Sequence, residues 1–157
     1  MFHLRDLRKV SGQDTLVDIE SFSVAGGQSA ALVGAPGSGI EVILDLIVGR
    51  TQPTLGEVRV GGVDPFDDRA AFADSAGVLF MEDGLYKSFS AEENLAFYCR
   101  LRGLPVERAR QVLALVGLGD QAKTRAGLLS PGGQRRLALG RAFLHSPSNL
   151  ALVEPFL

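Results

Sequence analysis

Apolar residues recur along this chain in two rhythms, one suited to strands and one to helices. Phe2–Lys9 and Leu16–Val24 read as strand-like stretches split by the turn Ser11-Gly12-Gln13-Asp14, which predicts a β-hairpin. Gly26-Gly27 then breaks the chain before a short apolar run, Ala30-Ala31-Leu32-Val33, expected to be a buried strand. A glycine-rich turn, Gly34 to Gly39, separates that run from Ile40, Ile43, Leu44, Leu46 and Ile47, whose spacing is helical, with Gly49 near the end. Leu55–Gly61 reads as strand and turn, and Ala76–Phe80 as a buried strand. Ser90-Ala91-Glu92-Glu93 has capping-box form and opens a helix that points Leu95, Tyr98 and Leu101 inward before Gly103. Pro105 opens a second helix carrying Ala109, Val112, Leu113 and Val116; a third runs from Ser130-Pro131 towards His145. Leu150-Ala151-Leu152-Val153 closes the pattern as a strand, followed by Glu154-Pro155. Strands alternating with helices around a glycine-rich strand-to-helix turn imply an α/β fold with a mostly parallel sheet.

Composition narrows the classes. With 157 residues, 46% hydrophobic and 22% charged, the chain suits one ordinary globular domain, not a disordered or fibrous segment. No apolar run approaches the roughly 20 residues of a membrane span, and the N-terminus lacks a secretory stretch, so a cytoplasmic location is expected. The single cysteine, Cys99, excludes an internal disulfide and a multi-cysteine metal site. A net charge of −2 argues against direct nucleic-acid contact by this segment.

The turn Gly34-Ala35-Pro36-Gly37-Ser38-Gly39 is the first chemical clue. A strand, a glycine-rich loop and a helix wrap backbone N–H groups around phosphate, and the helix N-terminus adds positive potential. The same loop is also what any tight βα connection needs.

The order of features around the loop is more specific. Leu7-Arg8-Lys9 with Gly12, Phe22-Ser23-Val24 and Gly26-Gly27; Gly34–Glu41; Thr54-Leu55-Gly56-Glu57-Val58 with Gly61-Gly62; Asp83 to Tyr86, Ser90 and Glu93-Asn94-Leu95; Leu129 to Leu137; and Leu150 to Pro155 follow one another as in a known family. In that order the chain resembles the ATP-binding-cassette (ABC) nucleotide-binding domain over its whole length. The resemblance implies a P-loop NTPase-like (RecA-like) α/β fold in a single domain, 1–157. It comprises a β-hairpin lead-in (1–27), a P-loop core (about 28–82), a helical subdomain (about 83–130), and a signature helix with Walker B strand (131–157). It also implies ATP and Mg²⁺ as ligands and a second ABC-type domain as partner. In the family a further strand, ending in the switch histidine, lies between the Walker A and Walker B strands. The chain is therefore expected either to pair those two strands directly or to fill the gap with another segment.

Departures from the family pattern change the functional expectation. The Walker A lysine position holds Ile40, and the following Ser/Thr position, which holds Mg²⁺, has Glu41. The Q-loop glutamine falls on Met81 beside Glu82, the adenine-stacking aromatic on Ser11, and the Walker B aspartate on Val153. Glu154 stands at the catalytic base. Around the signature, Ser130, Gly132, Gly133 and Gln134 are present, with Pro131 in place of the first glycine. Losing a charged hydrogen bond to phosphate removes about 1.5–3 kcal/mol. A carboxylate about 4 Å from a phosphate oxygen adds on the order of 4 kcal/mol of repulsion at an effective dielectric near 20. Even a total near 4 kcal/mol is about three decades of affinity, so ATP binding is expected to be weak or absent and hydrolysis more so.

Each of these residues also has a plain structural reading. The loop glycines suit positive φ. Glu154 suits a solvated strand end, and Ser130-Pro131 suits a helix cap. Arg135, Arg136 and Arg141 read as a solvated helix face. His145, Cys99, Phe89, Phe97 and Phe143 read as packing residues. Three functions follow: a non-hydrolysing regulatory or interaction module, paired with another ABC-type domain or with a fused or associated regulatory or membrane component; the N-terminal sensor half of a LytTR-type DNA-binding regulator; or an active ATPase using Glu41, Glu82 and Glu154 as unusual metal ligands.

Overall fold

The computed structural model describes residues 1–156, which fall into two compact units, one from Met1 to Ala76 and the other from Gly77 onward. In the first, β1 (Phe2–Ser11) and β2 (Asp14–Val24) form the expected hairpin around Gly12-Gln13. β3 (Leu55–Val60) pairs antiparallel with the other edge of β1, so the strand order is β2-β1-β3. Leu4 and Leu7 are both fully buried although three positions apart, which strict alternation forbids. Asp6 resolves the conflict: its φ of 47° puts an irregularity in the β1–β3 register between Arg5 and Arg8, returning Leu7 to the inner face. Helix α1 (Ile40–Ile47) packs on β2 and β3 and buries Leu46 and Ile47, and Gly49 follows in the left-handed region. A short helix that the hydrophobic pattern did not reveal, α2 (Arg69–Ser75), is capped by the Asp68 carboxylate accepting from the Ala71 N–H at 3.0 Å.

In the second unit, β4 (Ala76–Leu79) and β5 (Asn149–Leu152) make a two-stranded parallel sheet joined through α3 (Ala91–Leu101), α4 (Arg108–Leu115) and α5 (Pro131–Phe143). α3 begins at the predicted capping box: Ser90 Oγ accepts from the Glu93 N–H at 3.2 Å, and the Glu93 carboxylate accepts from the Ser90 N–H at 2.8 Å. Leu95, Cys99, Val112, Leu113, Leu118 and Leu137 are buried together as the helical core. Burial pushes the Cys99 thiol up, as expected for a packing residue.

Four expectations need correction. Ala30–Val33 is neither buried nor a strand: it belongs to no ladder, and Val33 is 91% exposed. A strand exists through its neighbours, and an apolar run without hydrogen-bonded partners gains nothing from extended geometry. Leu101 is 66% exposed because α3 has turned its inner face to Leu95 and Cys99. Pro105 starts only a single turn, with the Arg108 N–H donating to its carbonyl at 3.1 Å, and α4 proper begins at Arg108. Phe89 lies at the surface, stacked on Tyr86 with ring centroids 5.2 Å apart.

Candidate functional site

Gly34–Glu41 lies in the first unit as a turn running into α1. The Ser38 N–H donates to the Ala35 carbonyl at 3.0 Å, and Gly37 and Gly39 take φ values of 80° and 90°. Gly39 is required twice over, since a Cβ there would also stand 2.6 Å from the Leu16 carbonyl oxygen of β2. Gly39 caps α1 without a side-chain bond, so the first N–H groups of the helix remain open to an acceptor.

The side chains around that backbone have another use. A Cβ built on Gly34 would lie 2.6 Å from Ser38 Oγ and 2.8 Å from Ile40 Cδ1. Ile40 therefore folds back over the loop and lays a methyl group against the Gly34 backbone. Glu41 is exposed in the first turn of α1, where its carboxylate complements the positive end of the helix, an effect of about 0.3–1 kcal/mol. The potential that would draw a phosphate thus already has an anion of the protein's own. Ile40 and Glu41 offer a methyl group and a carboxylate at the start of α1, and neither a cation nor a hydroxyl. Among the described residues no group of three or more His, Cys, Asp or Glu side chains could hold a metal ion, so Glu82 and Glu154 of the second unit join no such group.

The residues that the resemblance gives as the signature begin α5. Ser130 is the N-cap, its Oγ accepting from the Gly133 N–H at 3.1 Å while its hydroxyl proton stays available for donation. Pro131 occupies the first helical position, where its missing N–H costs nothing. Gly133 is buried, and a Cβ there would press on Leu129 at 3.2 Å, whereas Gly132 is exposed with open space around it. Gln134 closes the turn by donating from Nε2 to the Leu129 carbonyl at 2.9 Å. Its Oε1 accepts from Lys87 Nζ at 2.6 Å, and Lys87 also pairs with Asp83. Burial raises the Asp83 carboxyl, but Lys87, the Leu85 N–H and Arg141 outweigh it and leave the group below its ordinary value.

Arg135 is where the solvated-face reading fails. It is 8% exposed, and its guanidinium donates to the carbonyls of Phe80, Met81, Val153 and Glu154. The signal was present in the helical period: Arg135 precedes Ala138 and Ala142 by three and seven residues, and both are buried against Leu79. Arg136 and Arg141 also hold backbone, donating to the carbonyls of Gly117 (3.1 Å) and Gly84 (3.5 Å). Glu154 is exposed at a φ of 42°, a strained value for a non-glycine residue. Lys87 and Asn94 carried no chemical reading in the sequence: Asn94 bonds only backbone, and Lys87 joins its near neighbour Asp83 to the distant Gln134.

A family model described as ABC transporter matches residues 17–157. The chain belongs to the ABC transporter family. It is 33% identical to the linearmycin resistance ATP-binding protein LnrL of Bacillus subtilis, over 99% of this chain and 51% of that protein. It is 39% identical to the taurine import ATP-binding protein TauB of Mesorhizobium japonicum, over 88% of this chain and 54% of that protein. The chain thus spans about half the length of the curated relatives it matches. Among solved structures, the dimeric bacterial ABC transporter cassette MJ0796 superposes with a TM-score of 0.84 at 23% identity, covering 99% of this chain and 74% of that one. That likeness establishes the expected P-loop NTPase-like α/β fold of an ABC-type domain. The same cassette has been solved with ADP and inorganic phosphate. Among the described residues no helix is long and apolar enough to cross a membrane.

Proposed function

We propose that this chain is a single ABC-type domain, 1–157, whose own nucleotide site is disabled and which serves in the cytoplasm as a non-hydrolysing interaction or regulatory module. The observation that carries the reading is the placement of Ile40 and Glu41. An aliphatic side chain covers the Gly34 end of the loop, and a carboxylate stands in the first helical turn. Neither replaces the cation and hydroxyl that a Mg²⁺–triphosphate needs, and among the described residues Glu154 belongs to no group of three or more His, Cys, Asp or Glu side chains that could hold a metal ion. The signature turn, by contrast, is well formed, with Ser130 exposed and Gly132 open. Its partner is a second ABC-type domain, like or unlike, whose phosphate loop would receive Ser130 and Gly132; a membrane or regulatory component would set the biological output.

Titration with a fluorescent ATP analogue and Mg²⁺ tests the reading. The native chain should show no saturable binding up to millimolar nucleotide. Ile40→Lys/Glu41→Ser should gain about three decades of affinity, the equivalent of roughly 4 kcal/mol. Saturable micromolar binding by the native chain would refute the disabled site.

A further inference from the structure

We propose that Arg135 is a positioning residue, a guanidinium latch that ties the signature turn to the ends of both strands of the second unit. Four facts converge on it. The side chain is buried on the inner stripe of α5 with Ala138 and Ala142. Nη1 donates to the Phe80 carbonyl at 2.6 Å and to Met81 at 3.3 Å, just past the end of β4. Nε donates to Glu154 at 2.9 Å and Nη2 to Val153, just past the end of β5. The backbone so held at Glu154 has a positive φ, so the turn there is over-determined by contacts.

Only a planar fork with five donors can serve two strand ends at once; a lysine ammonium at the same depth reaches one end and leaves the other carbonyls without a donor. Arg135 lies five residues beyond Ser130, within the opening turns of α5. Beside it, Lys87 of the loop after β4 holds Gln134, which in turn closes the turn on Leu129. Displacement at residues 80–81 or 153–154 is therefore passed to Ser130, and those are the segments where the resemblance placed the Q-loop and the catalytic base. The latch deepens the proposed function, because it determines how the signature serine is presented; its existence does not depend on that function.

Amide exchange read by NMR on the whole chain tests it. The Val153 N–H bonds the Leu79 carbonyl (2.9 Å), the Gly133 N–H bonds Ser130 Oγ, and the Gln134 N–H bonds the Ser130 carbonyl (2.8 Å), so these amides report the strand end and the signature turn. Arg135→Lys should speed exchange at all three by about tenfold or more, the scale of one lost charged hydrogen bond, with α3 amides unchanged. Arg135→Met should do the same more strongly. Equal acceleration everywhere would reduce Arg135 to a general stabiliser and overturn the proposal. Acceleration at Val153 with Gly133 and Gln134 unchanged would also overturn it. Should Arg135→Met fail to fold, Arg135→Lys decides alone; should both fail, Arg135→Gln, which keeps two donors, must speed all three amides, and their constancy sinks the latch. Mixed pairs with an active ABC-type ATPase form a separate arm. If the native chain fails to alter the partner's turnover, the interaction reading falls while the exchange result still judges the latch.

Discussion

Asn94 offers the sharpest test of how the second unit holds together. Its side chain is fully buried at the start of α3, facing the loop that carries Lys87. Oδ1 accepts from the Tyr86 N–H at 2.8 Å, and Nδ2 donates to the carbonyls of Tyr86 (2.9 Å), Ser90 (3.0 Å) and Phe89 (3.3 Å). Asn94→Ala removes these bonds together. Each is worth about 1 kcal/mol net, and a buried N–H left without an acceptor costs about 1–3 kcal/mol. Water reaching the loop offsets part of that, so the expected loss is about 2–4 kcal/mol. Asn94→Asp keeps the acceptor for Tyr86 but turns a carboxylate towards three carbonyl oxygens. It should be at least as damaging at neutral pH and recover in acid, because a protonated carboxyl can donate once more. The sign follows from linkage: burial among acceptors raises the introduced group's folded-state pKa above its unfolded value, so stability returns as pH falls through the folded value. Urea unfolding followed by tyrosine fluorescence is the assay. The chain has two tyrosines and no tryptophan, and Tyr86 and Tyr98 both lie in the second unit. A loss under about 1 kcal/mol for Asn94→Ala, or a more stable Asn94→Asp at pH 7, would refute the claim that these bonds organise the loop.

Two further outcomes use the same signal or NMR titration. Ser90→Ala deletes the acceptor for the Glu93 N–H and half of the capping box, and should lower the unfolding free energy by about 1 kcal/mol; an unchanged urea midpoint would show that the cap is ornamental. The Asp83 carboxyl, held below the ordinary carboxylate value despite its burial, stabilises the fold fully above its unfolded-state value, and the contribution disappears as pH falls through the folded-state value. Lys87→Met should move its carboxyl titration upward; a carbon-detected curve that stays put would dissociate Asp83 from Lys87.

The linear order of residues was enough to determine the local architecture. The hairpin around Gly12, the box at Ser90 and Glu93, the cap at Ser130 and the apolar spacing of α1, α4 and α5 are short-range consequences of side-chain size, capping chemistry and period. The same order carried the family resemblance, which the family model over residues 17–157 bears out, because identity at a position needs no coordinates. Tertiary structure decided what depended on a neighbour. Ala30–Val33 has a strand's composition and no ladder. Leu4 and Leu7 share a face only because β3 accepts the irregularity at Asp6. Arg135 carries a surface residue's charge, yet it is buried because two strand ends present four carbonyls to its stripe of α5. A hydrogen bond between residues far apart in the chain leaves no mark on the spacing of either, so such bonds appear only once the backbone has been brought together.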